Sequence, residues 1–268
     1  MLDLPLVVIL LLTGFINLIG ALAYAARIAG VRTGRIAMSF ALFNILLLFS
    51  RTSNSFLGPV LAKRIETRIH DGTGASLFLD MQFVLAAASI ATLAGILLVP
   101  TGQRLFAAAI GWYQDNRSTT KLALKAASPA GLRTLRRSLR FPSLVHLKGW
   151  HMPQGIGWGV LVANCLAQSL LAVGVVASLY AGYLAPEFRV TASQLSALIN
   201  GFATILLFAF IDPQLSVMTD DAVEGSVGEA DFRRAIALVS LSRLAGTVLA
   251  QALLLPAALL IALVAVHV

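Results

Sequence analysis

Continuous apolar stretches of about 20 residues divide the chain, and they limit its possible folds more than any other feature. A helix of this length crosses the hydrocarbon core of a bilayer, whereas strands of a membrane barrel would alternate apolar and polar residues. Asp, Glu, Lys and Arg make up only 12% of the residues, against about a quarter in soluble domains. We therefore expect an all-α, polytopic integral membrane helix bundle, and not a soluble enzyme, a disordered chain or a disulfide-rich secreted protein.

Six spans are expected, and together they form a single transmembrane domain over residues 1–268. Pro100 is expected to close the third span, and Asp212 and Pro213 the fifth, with Asp212 as an N-cap for the segment that follows. Residues 101–154 are then a cytoplasmic amphipathic insertion between the third and fourth spans. The expected spans cover about 4–26, 35–61, 77–99, 156–184, 190–211 and 235–268.

The basic residues are distributed unequally between the two sides of the predicted bundle. Loops one, three and five together carry 14 Lys and Arg, and loops two and four carry four. The positive-inside rule places the richer side in the cytoplasm and both termini outside it. The net charge of +8 is therefore a topology signal that also favours contact with anionic phospholipids, and nucleic acid is not an expected partner.

Residues 118–140 of the insertion are predicted to form two short helices that are broken at Pro129. Ser118 is a suitable N-cap for the first helix, and Pro129 suits the first turn of the second. A basic amphipathic helix of this kind lies in the headgroup plane, so we expect it to anchor the loop at the cytoplasmic surface. An alternative is that it recruits an anionic lipid headgroup or a pyrophosphate. Its apolar face holds Leu132, Leu135 and Leu139, and the other faces hold Arg133, Arg136, Arg137 and Arg140.

Arg51 and Arg243 are the two basic residues that fall inside predicted spans. Ionisable residues at such positions usually face the bundle interior or a water-filled cavity. Arg51 lies 16 residues after Arg35, so about 24 Å along the helix and in the outer half. Arg243 lies nine residues after Arg234, so about 13 Å along its helix and in the inner half.

Polar side chains accompany both arginines on one face of their helices, and we infer that they converge on one hydrated cavity. The alternative is that each arginine pairs with Asp80 or Asp212, or with backbone carbonyls, and only locks the bundle. Other polar residues in the spans are Asn17, Asn164, Gln168, Gln194 and Asn200. The predicted substrate contacts are Asn44, Arg51, Asn54, Arg243 and Gln251 within the spans, and Arg27, Arg32 and Arg35 at the cytoplasmic mouth.

Several chemistries have no signature in the sequence. It contains no Walker A motif, no His and Cys cluster with metal-ligand spacing, and no Gly-x-Ser-x-Gly elbow. We expect no metal, no cofactor and no ATP use. Transport would then draw on a gradient, on the membrane potential or on passive equilibration.

The N-terminal stretch from residue 21 to residue 59 resembles a known family. The segments ALAYAARIAGVRTGR and SRTSN, with GP shortly after, are similar to the Amj family of bacterial lipid II flippases, which substitute for MurJ. The segment IDPQLSVMTDD at 211–221 looks similar as well. The resemblance implies a transporter without enzymatic activity in the bacterial cytoplasmic membrane. It would carry the lipid-linked peptidoglycan precursor, lipid II, to the outer leaflet for cell wall biogenesis.

The polar residues in the spans agree with that function. A large polar headgroup needs a polar route, because its groups would otherwise lose their hydrogen bonds in hydrocarbon. Arginine binds phosphate oxygens bidentately. The hypothesis is that Arg27, Arg32 and Arg35 capture the pyrophosphate, and that Arg243 and then Arg51 hold it during passage.

Other functions stay open at this point. One is transport of another polyprenyl-phosphate-linked sugar, one is a membrane-embedded lipid-modifying enzyme, and one is a non-catalytic scaffold. Six helices are few for enclosing so large a headgroup. A homodimer, or a groove open to lipid, is therefore an alternative to a closed monomeric pore.

Overall fold

The computed structural model describes residues 3–140, 152–153 and 155–268, and these ranges contain helices and no strand. Six helical segments are long and apolar enough to cross a membrane, which confirms the predicted fold class and the number of spans. Residues 141–151 and 154 of the predicted insertion lie outside the described residues. The helices are α1 (Leu4–Thr33), α2 (Ile36–His70), α3 (Leu77–Asn116), α4 (Thr119–Ala126), α5 (Pro129–Ser138), α6 (Trp158–Leu184), α7 (Arg189–Ile205), α8 (Asp212–Glu224) and α9 (Glu229–His267).

The helix of the third span is longer than expected, because α3 continues through Pro100 to Asn116. The expectation that the helix ends at Pro100 is wrong. Membrane helices tolerate proline when neighbouring elements satisfy the freed backbone groups. Close packing on α1 holds α3 on both sides of Pro100. The short helices of the insertion therefore begin only after Asn116.

The fifth span also continues past its predicted end. A π-helical turn, Leu206–Ile211, joins α7 to α8, and the segment is helical to Glu224. Pro213 lies in the first turn of α8, where a missing N–H costs little. The predicted N-cap role of Asp212 is wrong, because Ile211 is the N-cap residue and the Asp212 carboxylate binds Arg27.

The spans form two groups of three helices. In the first group α1 packs against α2 and α3, and in the second group α6 packs against α7 and α9. Small residues allow the close approaches, as is common between membrane helices. A Cβ on Gly95 of α3 would lie 2.5 Å from the Ala21 Cβ of α1, and one on Gly246 of α9 would overlap the Cys165 carbonyl oxygen of α6. The two groups meet chiefly where α9 contacts α3, with smaller contacts of α6 on α2 and α3 and of α8 and α9 on α1.

The bundle is closed at the end that carries both chain termini. An apolar core that includes Leu6, Leu61, Met81, Val173 and Leu254 spans both helix groups there. Beside it lies an ion-pair network within the first group. In this network Arg64 donates to Asp80 and to Asp3, and Arg68 lies 3.6 Å from both carboxylates.

The two short helices confirm the predicted break at Pro129. The Ser118 hydroxyl accepts from the Lys121 backbone N–H at 3.3 Å and caps α4. Pro129 lies in the first turn of α5, which Ser128 caps. The end of this basic arm, residues 117–140, returns to α3, because the Thr101 hydroxyl exchanges hydrogen bonds of 3.0 Å with the Arg140 backbone.

Candidate functional site: two arginines between the helix groups

Arg27 of α1 lies at the boundary between the two helix groups. Its Nη2 donates to Oδ1 of Asp212, at the start of α8, at 3.1 Å. The guanidinium also stacks over the Phe40 ring, with 5.0 Å between its central carbon and the ring centroid. Arg27 is 9% exposed, and burying a charge is costly unless it is paired. Asp212 supplies that partner from the opposite helix group.

Arg243 of α9 reaches the same face of α1, one to two turns deeper. Its guanidinium lies directly on Gly20, where a Cβ would overlap Nη2. The Tyr24 hydroxyl lies near the guanidinium groups of Arg243 and Arg27 and interacts electrostatically with both. Gly20, Tyr24 and Arg27 follow at spacings of four and three, so they share one helix face. This face of α1 therefore brings two guanidinium groups close to one hydroxyl.

A hydrogen-bonded network on α6 supports this arrangement from the side. Asn164 is 1% exposed, and its Nδ2 donates to the Val239 carbonyl at 3.1 Å and to the Ser242 hydroxyl at 2.7 Å. Asn164 also lies within reach of the Tyr24 hydroxyl. Because Val239 and Ser242 belong to α9, these bonds fix the helix turns from which Arg243 projects.

Two buried donors in this region have no hydrogen-bond partner among the described residues, namely Arg27 Nη1 and Arg243 Nε. Within the part of the chain that the structure describes, Asp212 is the one carboxylate that forms an ion pair with either guanidinium group, so the cluster carries a net positive charge. Buried donors without partners are costly, and an anion would satisfy them. We call Tyr24, Arg27, Asn164, Asp212 and Arg243 the two-arginine site. Its chemistry fits a phosphate or pyrophosphate group.

The structure does not bring Arg51 into this site. Arg51, Asn44 and Asn54 are all exposed on α2, with the exposed apolar residues Leu48 and Phe49 beside them. They form a polar stripe on the outer surface of the bundle. Their predicted role in substrate binding is not tested by their position, but they do not line a cavity with Arg243.

The other predicted contacts are found in two further places. Arg32 and Arg35 are exposed at the turn between α1 and α2, where Gly34 takes a left-handed conformation with φ of 64°. Gln251 lies deeper on α9 and donates to the Ser89 hydroxyl of α3 at 3.0 Å. Gln82 in turn donates to the Gln251 carbonyl at 3.0 Å. Gln251 therefore joins the two helix groups and lies about two turns along α9 from Arg243.

Asp80 and Asp212 were the alternative partners predicted for Arg51 and Arg243, and both form ion pairs with other arginines. Asp80 binds Arg64, and Asp212 binds Arg27. The prediction also omitted Tyr24 as a site residue. One signal was present in the sequence, because Tyr24 lies one turn before Arg27 in an otherwise apolar stretch.

Comparisons with known proteins identify the family to which this membrane helix bundle belongs. The sequence profile of the family described as Amj, alternate to MurJ, matches residues 12–265. The chain is 37% identical over 250 residues to the lipid II flippase Amj of Bacillus subtilis (strain 168), which covers 92% of this chain and 91% of the relative. No solved structure matches the chain. The family match and the identity to this relative cover nearly the whole chain, and the protein therefore belongs to the Amj family.

Proposed function

We propose that this protein is a flippase that moves lipid II from the inner to the outer leaflet of the bacterial cytoplasmic membrane. The observation that carries the proposal is the two-arginine site, a net positive cluster buried between two helix groups with two unsatisfied donors. The name of the Bacillus subtilis relative, a lipid II flippase, supports this substrate and supports a transporter over an enzyme. Transport of another polyprenyl-phosphate-linked sugar would use the same contact with phosphate oxygens.

In this proposal the pyrophosphate binds between Arg27 and Arg243. Arg27 Nη1 and Arg243 Nε are the donors that it satisfies, and the Tyr24 hydroxyl is a third donor. Asp212 holds Arg27 while the site is empty of substrate, and its side chain is 40% exposed, so it can turn towards water when an anion replaces it. The lipid tail stays in the surrounding hydrocarbon.

Release to the other leaflet requires the helix groups to separate at the end that is closed. The contacts that would have to open are the shared apolar core and the Gln251 to Ser89 bond between α9 and α3. The ion-pair network of Arg64 and Asp80 lies within one group, so it would move as part of a rigid unit. The π-helical turn Leu206–Ile211 supplies an irregular backbone next to Asp212, and such turns are frequent at functional sites.

The predicted topology completes the proposal. Both termini lie outside the cytoplasm, Arg32 and Arg35 are at the cytoplasmic mouth, and the basic arm meets anionic phospholipids of the inner leaflet. A homodimer stays a prediction. Crosslinking of cysteines placed on the exposed face of α7, at Leu198 and Phe202, in native membranes tests it.

Complementation tests the proposed function and its site. Cells are made to depend on this protein as their sole lipid II flippase, and Arg27→Ala, Arg243→Ala and Arg51→Ala are compared at equal protein levels. Arg104→Ala, at an exposed position of α3, is the matched control. We expect growth to be lost with Arg27→Ala and with Arg243→Ala, and inner-leaflet lipid II to accumulate. Full growth with both replaced contradicts the site.

The polar stripe on α2 supports a second route. Asn44, Arg51 and Asn54 are exposed along one side of the helix, and a headgroup could follow them along a groove open to lipid. In that case Arg51→Ala abolishes growth while Arg27→Ala and Arg243→Ala are tolerated. The same set of variants therefore distinguishes an interior route from a surface route.

A further inference from the structure

An apolar groove of about 680 Å³ lies between α2 and α3 and is covered by the two short helices of the basic arm. Leu42, Ile45 and Phe49 line it from α2, and Leu105 and Ala108 from α3. The arm covers one end with Leu122 and Leu135. A groove of this size is in the range of small-ligand sites. Its lining fits a hydrocarbon chain.

The cover of the groove is strongly basic. The basic arm contains seven Lys and Arg and no Asp or Glu. Lys121 and Lys125 follow at a spacing of four, so they lie on the same side of α4, and both are exposed. The Lys125 Nζ lies 4.9 Å from the Trp112 ring centroid at the groove. A ligand with an apolar tail and an anionic head is complementary to this combination.

We propose that the groove binds one anionic phospholipid, with an acyl chain between α2 and α3 and its headgroup at Lys121 and Lys125. The inference rests on the part of the proposed function that places the arm at the membrane surface, and it does not require that lipid II is the substrate. Phospholipid binding at a fixed site would attach the arm to α3 near the loop that joins the two helix groups.

The groove is separate from the two-arginine site. Leu22 is the α1 residue that lines it, and Leu22 lies about 200° around the helix from Gly20, which contacts Arg243. The groove and the two-arginine site therefore lie on opposite faces of α1. A headgroup that binds Arg27 and Arg243 does not place its own tail in this groove, which favours a second lipid as the occupant.

Native mass spectrometry of the full chain, released from nanodiscs of equal parts phosphatidylglycerol and phosphatidylcholine, tests the site. We expect one phosphatidylglycerol to be retained in preference to phosphatidylcholine. Ala108→Phe fills the groove and should abolish retention of both lipids. Ala245→Phe, at an exposed position of α9 away from the groove, is the control and should retain the lipid. An unchanged melting temperature for Ala108→Phe shows that the variant is folded.

The headgroup contact is tested separately. Lys121→Gln with Lys125→Gln should reduce the preference for phosphatidylglycerol by about five-fold for each lysine, and the Lys→Arg pair should restore it. Arg243→Ala should leave retention unchanged, which separates this inference from the transport proposal. Equal retention of the two lipids by the unchanged protein, retention by Ala108→Phe, or displacement of the lipid by a polyprenyl pyrophosphate would overturn the inference.

Discussion

Arg27 and Asp212 form an ion pair of 3.1 Å between residues that are 185 positions apart in the chain. The pair connects α1 of the first helix group to the start of α8 in the second. Arg27 is buried, whereas the Asp212 side chain is 40% exposed. The contact can therefore hold the groups together and still exchange its carboxylate for another anion.

Loss of the Asp212 charge should destabilise the protein. In Asp212→Asn the buried Arg27 loses a charged hydrogen bond, which costs about 2 kcal/mol and lowers the melting temperature in detergent by about 6 °C. Asp220→Asn, at an exposed position of the same helix, is the control and should change little. Added inorganic pyrophosphate should restore part of the lost stability, because it takes the place of the carboxylate. Equal melting temperatures for both variants would show that the pair does not stabilise the contact.

Loss of a charge from the Arg64 and Asp80 ion pair should destabilise the protein more than loss of the Asp212 charge does. Both side chains are nearly inaccessible, at 3% and 4% exposure, and Nη2 lies 2.8 Å from Oδ2. Removing Asp80 leaves the buried Arg64 with only the partly exposed Asp3 as its partner, and the loss of a buried partner costs up to about 3–5 kcal/mol. Asp80→Asn should therefore lower expression and melting temperature strongly, whereas Glu66→Gln, at an exposed position of α2, should not. A wild-type melting temperature for Asp80→Asn would contradict a stabilising role for this network at the end that carries both chain termini.

Asp3 gives the same network a pH dependence. Hydrogen bonding from Arg64 lowers the pKa of the Asp3 carboxyl below its ordinary value of 3.8. A carboxyl with a lowered pKa stabilises the fold above its unfolded pKa, and this contribution is lost as the pH falls through the folded pKa. Asp3→Asn keeps an N-cap for α1 and removes the charge. The melting-temperature difference from wild type should be full above pH 3.8 and shrink below it; a difference that is independent of pH would argue against the ion pair.

The close approach of α9 to α6 should not tolerate a side chain at Gly246. A Cβ there would overlap the Cys165 carbonyl oxygen, and a backbone oxygen cannot move aside as a flexible side chain can. Gly246→Val should cost about 1–3 kcal/mol through overpacking. Gly201→Val, where nothing lies within 4 Å, is the matched control. Comparable melting temperatures for the two variants would contradict the packing of these helices.

The sequence was sufficient for the number of spans and for the two capped helices of the arm, because length, apolarity and capping residues are local properties. It was not sufficient to say which face of each helix is buried. In a membrane the lipid-facing surface is as apolar as the core, so Arg51 and Arg243 looked alike in their apolar surroundings. One is exposed on α2 and the other lies on Gly20 of α1.

The sequence also does not show which residues from distant parts of the chain contact one another in the fold. The sequence predicts Arg27 at the cytoplasmic mouth and Asp212 as a helix cap, because no local pattern connects residues so far apart in the chain. The sequence predicts a helix end at Pro100, because proline lacks a backbone N–H. The close packing of Gly95 and Gly102 on Ala21 and Ala25 holds α3 against α1 on both sides of it.

Lipid II flipping by the purified protein in proteoliposomes tests the central claim most directly. Fluorescent lipid II is scored for its appearance in the opposite leaflet, with Arg27→Gln, Arg243→Gln and the control Arg104→Gln compared at equal incorporation. A lost charged hydrogen bond to the pyrophosphate should lower the rate by about tenfold or more for each of the first two variants, while the control flips at the wild-type rate. Wild-type rates for both Arg27→Gln and Arg243→Gln would contradict the two-arginine site.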